Sequence, residues 1–139
     1  MFRLAKLKKT DRVYDMGSGT GEALITAAKE YGVKCVGVEI DPVRYLISKW
    51  HARRAGVLDH ITFINDNFYD VDLSDADVVL AYLVPKALRR LTKKFQKELR
   101  PGTRIVGYRY PMPVELYNGK LKLIAEEKEN RIYMYEVKK

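Results

Sequence analysis

Several residue types that usually announce a chemistry are scarce in this chain. Cys35 is its one cysteine, and His51 and His60 are its two histidines. A single thiol excludes an intrachain disulfide. It lies inside an apolar run and reads as a small hydrophobe. Neither histidine has a second His or Cys at ligand spacing, so no metal is expected. No apolar run approaches ~18 residues, so no helical membrane span is expected. The opening Met1-Phe2-Arg3-Leu4-Ala5-Lys6 is too short and too charged for a signal peptide, which needs an apolar core of ~7–15 residues. Together these absences give the expectation of a cytoplasmic protein. Acids are also in deficit. Against 26 Lys and Arg stand 18 Asp and Glu, a net charge of +8. Such a surface suits nucleic acid, acidic proteins or anionic membranes. The plainer alternative is basic residues spread along solvated helices.

What is present is an alternation of apolar strands and helices. The 139 residues, 47% of them hydrophobic, suit one domain spanning 1–139 with a proper core. Residues 2–10 read as the last turns of a helix or a frayed arm. Residues 12–16 form a strand, and Thr20 or Gly21 opens a helix that Gly32 stops. Val33–Ile40 is a second strand, covered on both faces. Asp41 caps the next helix and Pro42 takes its first position, with Leu46, Ile47 and Trp50 as its apolar face. Ile61–Ile64 is strand three and Ala76–Val84 strand four. Pro85 starts a helix running to about Leu99. Thr103–Tyr108 is strand five, and Pro111 and Pro113 force an extended segment. Leu121–Ala125 and Ile132–Val137 close the chain as strands, with turn signals at Asn118-Gly119 and Lys128-Glu129-Asn130. The expected fold is α/β, a mainly parallel Rossmann-like sheet with an antiparallel C-terminal edge and helices on both faces.

The chemistry concentrates in Val13-Tyr14-Asp15-Met16-Gly17-Ser18-Gly19-Thr20-Gly21-Glu22. A dinucleotide loop needs Gly-x-Gly-x-x-Gly, so that a pyrophosphate rests on the helix N-terminus. Here the spacing is Gly-x-Gly-x-Gly, with Glu22 in the third-glycine slot and Asp15 two positions ahead of the loop. A carboxylate there repels pyrophosphate and suits a cation. S-adenosylmethionine carries a sulfonium and an amino group and no phosphate. Asp-x-Gly-x-Gly-x-Gly is therefore the pattern of class I methyltransferases, against the blander reading of a tight turn. Glu39 ends strand two, where an acid accepts hydrogen bonds from ribose hydroxyls. Asp66, Asn67 and Phe68 follow strand three, where an acid and a backbone pair meet adenine while Phe68 packs on the ring.

Methyl acceptors enter after strand four in this fold class. Enzymes acting on planar amines often carry Asp/Asn-Pro-Pro-Tyr/Phe there. This chain has Ala81-Tyr82-Leu83-Val84-Pro85, without the Asp or Asn. A lysine amine needs less help: it loses a proton and is aligned. Tyr82, Tyr108 and Tyr110 are candidates to line that channel, their ring faces attracting the cationic amine; for each one singly, packing is the alternative role. Arg89-Arg90 and Lys93-Lys94 suit an acidic partner or RNA phosphates, or form a solvated helix face.

These segments resemble the archaeal protein-lysine methyltransferases and the mitochondrial enzymes that methylate lysine on the ATP-synthase c subunit and the adenine nucleotide carrier. The resemblance rests on Val13–Gly21, Ala27-Ala28-Lys29, Val36-Gly37-Val38-Glu39-Ile40, Arg53-Arg54-Ala55-Gly56-Val57, and Asn67-Phe68-Tyr69-Asp70-Val71-Asp72-Leu73-Ser74. Val84-Pro85, Lys97-Glu98-Leu99-Arg100-Pro101-Gly102-Thr103-Arg104 and Tyr108-Arg109-Tyr110-Pro111-Met112-Pro113 complete it. It implies a seven-stranded sheet, S-adenosylmethionine as cofactor with S-adenosylhomocysteine as product, and a protein substrate with an accessible lysine. The expected cofactor residues are Asp15, Gly17, Ser18, Gly19, Gly21, Glu39, Ile40, Asp66, Asn67 and Phe68, and the expected catalytic residues are Tyr82 and Tyr110. Nucleic acid is the secondary substrate, an inactive cofactor-binding module is a further alternative, and a monomer or weak dimer is expected. Family members usually carry an upstream helix and a Tyr-Val-Pro-like segment covering the cofactor. The segment ahead of strand one is too short to hold them.

Overall fold

The computed structural model describes residues 2–139. Two compact units divide the chain. One is Leu7–Val71; the other is Asp72–Lys139 together with α1 (Phe2–Ala5).

In the first unit, β1 (Arg12–Met16), β2 (Lys34–Val38) and β3 (Ile61–Ile64) pair in parallel in the order β3-β2-β1. The register sets Met16 opposite Val38 and Val38 opposite Ile64. Three strand ends therefore lie in one row, and the loops that follow them open on the same side. Val13, Met16, Val38 and Leu24 are fully enclosed. β2 stops at Val38, short of the expected Ile40. The carbonyls of Glu39 and Ile40 instead accept hydrogen bonds from the Asn65 side-chain amide, at 3.0 and 3.1 Å.

α2 (Glu22–Tyr31) follows Gly21 and ends at Gly32, whose φ of 68° supplies the left-handed helix stop expected from sequence. α3 (Pro42–Arg54) starts as expected: the Asp41 carboxylate accepts from the N–H of Val43, and Pro42 takes the first turn. Its inward face is not the expected one. Leu46 is 62% and Trp50 55% exposed, with Val43 and Ile47 on the same outward stripe. Ser48 and Ala52 are the buried residues. The reason is close approach. A Cβ built on Gly21 would lie 3.0 Å from that of Ser48, so only small residues fit where α3 meets the start of α2. The Ser48 hydroxyl is satisfied locally by the Tyr45 carbonyl at 2.7 Å.

In the second unit the strand order is β4-β5-β7-β6, comprising β4 (Val78–Ala81), β5 (Arg104–Tyr108), β6 (Leu121–Glu127) and β7 (Ile132–Val137). β4 and β5 are parallel, with Ala81 opposite Gly107; β5 and β7, and β7 and β6, are antiparallel. The expected single helix from Pro85 to Leu99 is broken into α4 (Pro85–Arg90) and α5 (Thr92–Glu98) around Leu91. Thr92 turns its hydroxyl back onto the Leu88 carbonyl, a bond that bends helices. After the proline pair, itself outside any helix or strand, the chain takes a turn of 3₁₀ helix, Val114–Tyr117. The N–H of Met112 donates to the Tyr135 hydroxyl at 2.9 Å, tying that segment to β7. The Arg104 guanidinium donates to the carbonyls of Ala5 and Lys6, closing the C-terminal end of α1.

Candidate active site

In the first unit a candidate cofactor site is built by the three loops that leave the aligned ends of β1, β2 and β3. The glycine loop turns sharply: Gly17, Gly19 and Gly21 have φ of 88°, 59° and 87°, a region that L side chains enter only at a cost. The N–H groups of Gly17 and Ser18 both donate to the Val38 carbonyl at 2.9 Å, and that of Gly21 to Ser18 at 3.0 Å. The N–H of Gly19 donates to Glu39 Oε1 at 2.7 Å. The loop amides are thus engaged inside the protein rather than presented as a phosphate cradle, which fits the absence of a dinucleotide spacing.

Glu39 is buried and bridges two loops, since its Oε2 also accepts from the N–H of Asp41 at 3.0 Å. Each carboxylate oxygen keeps a further lone pair for a ligand hydroxyl. Asp15 is 8% exposed. Burial first, and the Glu39 charge second, push its carboxyl up to about 7. Burial likewise pushes the Cys35 thiol up to about 12, with the Asp15 charge adding to it. Cys35 is therefore an inert packing residue, as its apolar neighbours suggested.

A cavity of about 200 Å³ lies beside Glu39 and brings together Gly17, Glu39, Ile40, Asp66, Asn67 and Phe68, with Tyr69 and Val38 completing the wall; Asp15 is not on that wall. Ile40 is largely exposed. Asp66 Oδ1 accepts from the N–H of Asn67 at 2.7 Å, and Asn67 Oδ1 accepts from the N–H of Tyr69 at 3.0 Å. The Asp-Asn pair is therefore a turn as well as a wall of the cavity. Ser18, Gly19 and Gly21 are not on that wall. A Cβ on Gly19 would meet nothing within 4 Å, so open space faces it. Gly21 serves the packing of Ser48 and Phe63. The Ser18 hydroxyl is buried without a hydrogen-bond partner.

These features fit the cofactor expected from the sequence. Two buried acids suit a ligand with a cationic end and ribose hydroxyls. The space at Gly19 leaves room for it, and Ile40 and Phe68 offer apolar contact for a flat ring. Two residues lay outside the sequence expectation. Asn65 staples the Glu39 loop, and its only signal was a polar residue closing an apolar strand. Tyr69 reaches the cavity because Phe68–Asp70 coils as a 3₁₀ turn, which no spacing announced.

A separate group of candidate residues lies in the other unit. Tyr82 follows β4 and Tyr108 ends β5, so the parallel pairing brings them edge to face at 4.8 Å between ring centroids. Tyr82 is 54% exposed. The Arg109 guanidinium is hydrogen-bonded to the Tyr82 side chain and lies 5.5 Å from the centre of the Tyr110 ring. A pocket of about 310 Å³ takes Tyr82, Tyr108 and Arg109 into its wall, but not Tyr110. The three tyrosines expected to line one channel therefore split into a facing pair and a ring under an arginine. Among the described residues no cluster of His, Cys, Asp or Glu is arranged to hold a metal.

Residues 15–115 match the family described as "ANTKMT methyltransferase domain". The chain belongs to this methyltransferase family. A protein-lysine N-methyltransferase of Saccharolobus islandicus is 35% identical over 140 residues, covering 99% of this chain and 86% of that protein. A lysine N-methyltransferase of the ATP synthase c subunit from Xenopus laevis is 37% identical over 105 residues, 76% of this chain. The match takes in 46% of that relative, so the chain spans under half of the longer vertebrate protein. Among solved structures, an RNA methyltransferase from Salinibacter ruber in complex with S-adenosyl-L-homocysteine superposes with a TM-score of 0.89 at 31% identity, covering 99% of this chain and 88% of the other. The Rossmann-like methyltransferase fold expected from the sequence is therefore the fold of this family.

Proposed function

We propose that the chain transfers a methyl group from S-adenosylmethionine to the ε-amine of a protein lysine. The carrying observation is the pair of buried acids, Asp15 and Glu39, beside a glycine loop whose amides are already engaged. Bound there, S-adenosylmethionine supplies an electrophilic methyl group on a sulfonium. Asp15 faces the cationic end of the cofactor. Glu39 accepts from the ribose hydroxyls. Ile40 and Phe68 contact the adenine faces, and Asp66 and Asn67 its edge. Tyr82 and Tyr108 present aromatic surface to an approaching ammonium group, and Tyr110 supports Arg109 from below. No side chain is placed as a strong base. The lysine gives its proton to water, and the protein contributes alignment.

Lysine is supported by the names of the Saccharolobus and Xenopus relatives. The Salinibacter structure favours a second reading, transfer to RNA, which the net charge of +8 also suits. Against RNA stands the sequence Ala81–Pro85, which offers Tyr82 as its one polar side chain, already bonded to Arg109. A planar base amine is a poor nucleophile and needs a firmer polar clamp. Among the described residues no helix is long and apolar enough to cross a membrane. A cytoplasmic location and a monomer or weak dimer complete the proposal.

The test is transfer of methyl label from S-adenosylmethionine into a cell extract, separated into protein and RNA. Methyllysine in protein hydrolysate is expected. Label confined to RNA overturns the lysine assignment. Calorimetry with S-adenosylhomocysteine tests the cofactor site separately.

A further inference from the structure

The pocket at the ends of β4, β5 and β7 holds more positive charge than a lysine channel needs. β5 and β7 run antiparallel with Tyr108 opposite Ile132, so Arg109, just past β5, faces Arg131, just before β7. The N–H of Arg109 donates to the Arg131 carbonyl at 2.7 Å. Both residues hold left-handed backbone, with φ of 74° and 54°. A non-glycine residue at positive φ is uncommon, and two bonded to each other are a costly arrangement of a kind that gathers at ligand clamps. Both side chains are exposed and line the same pocket, together with Tyr82, Tyr108, Glu129 and Asn130.

We propose that Arg109 and Arg131 form a subsite for one carboxylate of the substrate, an Asp or Glu side chain close in sequence to the methylated lysine. This rests on the lysine reading above. Arg109 gives one donor to Tyr82 and has others in its planar fork, and Arg131 adds a second fork. Two guanidiniums against Glu129 leave the pocket one positive charge in excess. That single excess charge matches one carboxylate better than a run of phosphates, which carries several negative charges. The Tyr82–Tyr108 pair beside it offers ring surface for the neighbouring lysine stem and ammonium. The ends of parallel strands are where this class of sheet takes its ligands. The subsite therefore reads the sequence around the target, selecting lysines in acidic context.

The test uses the full chain with S-adenosylmethionine and synthetic peptides, each with one lysine and with Glu, Gln or Lys at the two positions on either side. The wild type is expected to favour Glu through KM by about two- to fivefold, the worth of an exposed charge pair, with kcat little changed. Arg131→Gln should erase that preference while leaving the Gln peptide as good a substrate as before. Arg131→Glu should turn the preference toward the Lys-flanked peptide, which general loss of structure cannot do. Equal KM for the three peptides with the wild type overturns the subsite and leaves the lysine reading standing. Methyl transfer to RNA with none to any peptide or extract protein overturns both.

Discussion

The backbone N–H of Gly19 reaches Glu39 Oε1 at 2.7 Å, across twenty positions of sequence. The acid expected to bind ribose is thus also the clasp that shapes the glycine loop. Replacing it removes an acceptor from two half-buried amides, those of Gly19 and Asp41. Glu39→Ala should lower stability by about 1–3 kcal/mol and weaken S-adenosylhomocysteine by tenfold or more. Thermal unfolding and calorimetry measure the two losses. Glu39→Gln keeps one carbonyl acceptor and should recover part of the stability without recovering the affinity.

Asp15 gives opposite pH signs for folding and for binding. Its carboxyl titrates near 3.8 in the unfolded chain and about 7 in the folded one, so the folded chain holds the proton longer. Its contribution to stability is therefore full below pH ~4, declines as pH rises toward 7 and then levels, a loss of roughly 4 kcal/mol. Denaturation of Asp15→Asn at pH 5 and pH 8 should show the variant gaining on the wild type at the higher pH. Cofactor binding needs the ionised form. The wild type should lose affinity as pH falls below 7, approaching tenfold per unit, and Asp15→Asn should bind weakly at every pH. A pH-independent wild-type affinity argues that another group meets the cationic end.

Two glycines separate packing from ligand space. A Cβ on Gly37 would lie 2.8 Å from Leu24 Cδ1, 3.0 Å from Ser18 Oγ and 3.1 Å from Phe63 Cδ1. Gly37→Ala should cost about 1–3 kcal/mol by overpacking. Gly19→Ala meets no protein atom within 4 Å and should cost about 1–2 kcal/mol for its left-handed backbone, yet it should abolish cofactor binding. Comparing unfolding with calorimetry for the two variants distinguishes them. Unimpaired binding by Gly19→Ala would show that the cofactor does not pass there.

The outward stripe of α3 makes a counterintuitive pair. Leu46→Lys and Trp50→Ala should change stability by no more than about 0.5 kcal/mol, because both side chains are largely exposed. Ala52→Leu, on the enclosed face, should cost about 1–3 kcal/mol. Chemical denaturation of the three variants checks the order.

Local chemistry made most of this legible in the sequence. Asp41-Pro42 and Gly32 set helix limits by capping and by backbone conformation, which depend on neighbours alone. Asp15 and Glu39 are expected together because strand ends of a parallel sheet gather their loops, and the structure buries both there. The orientation of α3 was misread because helical spacing finds an apolar stripe without saying which way it faces. The deciding contact, Ser48 against Gly21, joins residues far apart in sequence. The break at Leu91 turns on one hydroxyl, and the split of Tyr82 and Tyr108 from Tyr110 on the turn at Arg109. Neither leaves a mark in periodicity.

The division of the chain also bears on the order in which it is made. Leu7–Val71 is continuous, so the whole unit that carries the glycine loop is in hand once Val71 has left the ribosome. The other unit is not continuous. It joins α1 to Asp72–Lys139, with Arg104 holding the end of α1. Segments of a chain that are complete early fold early. The first helix, although it precedes that unit in sequence, must wait for β5 before it has its partner, and so it settles after residues that follow it in the chain.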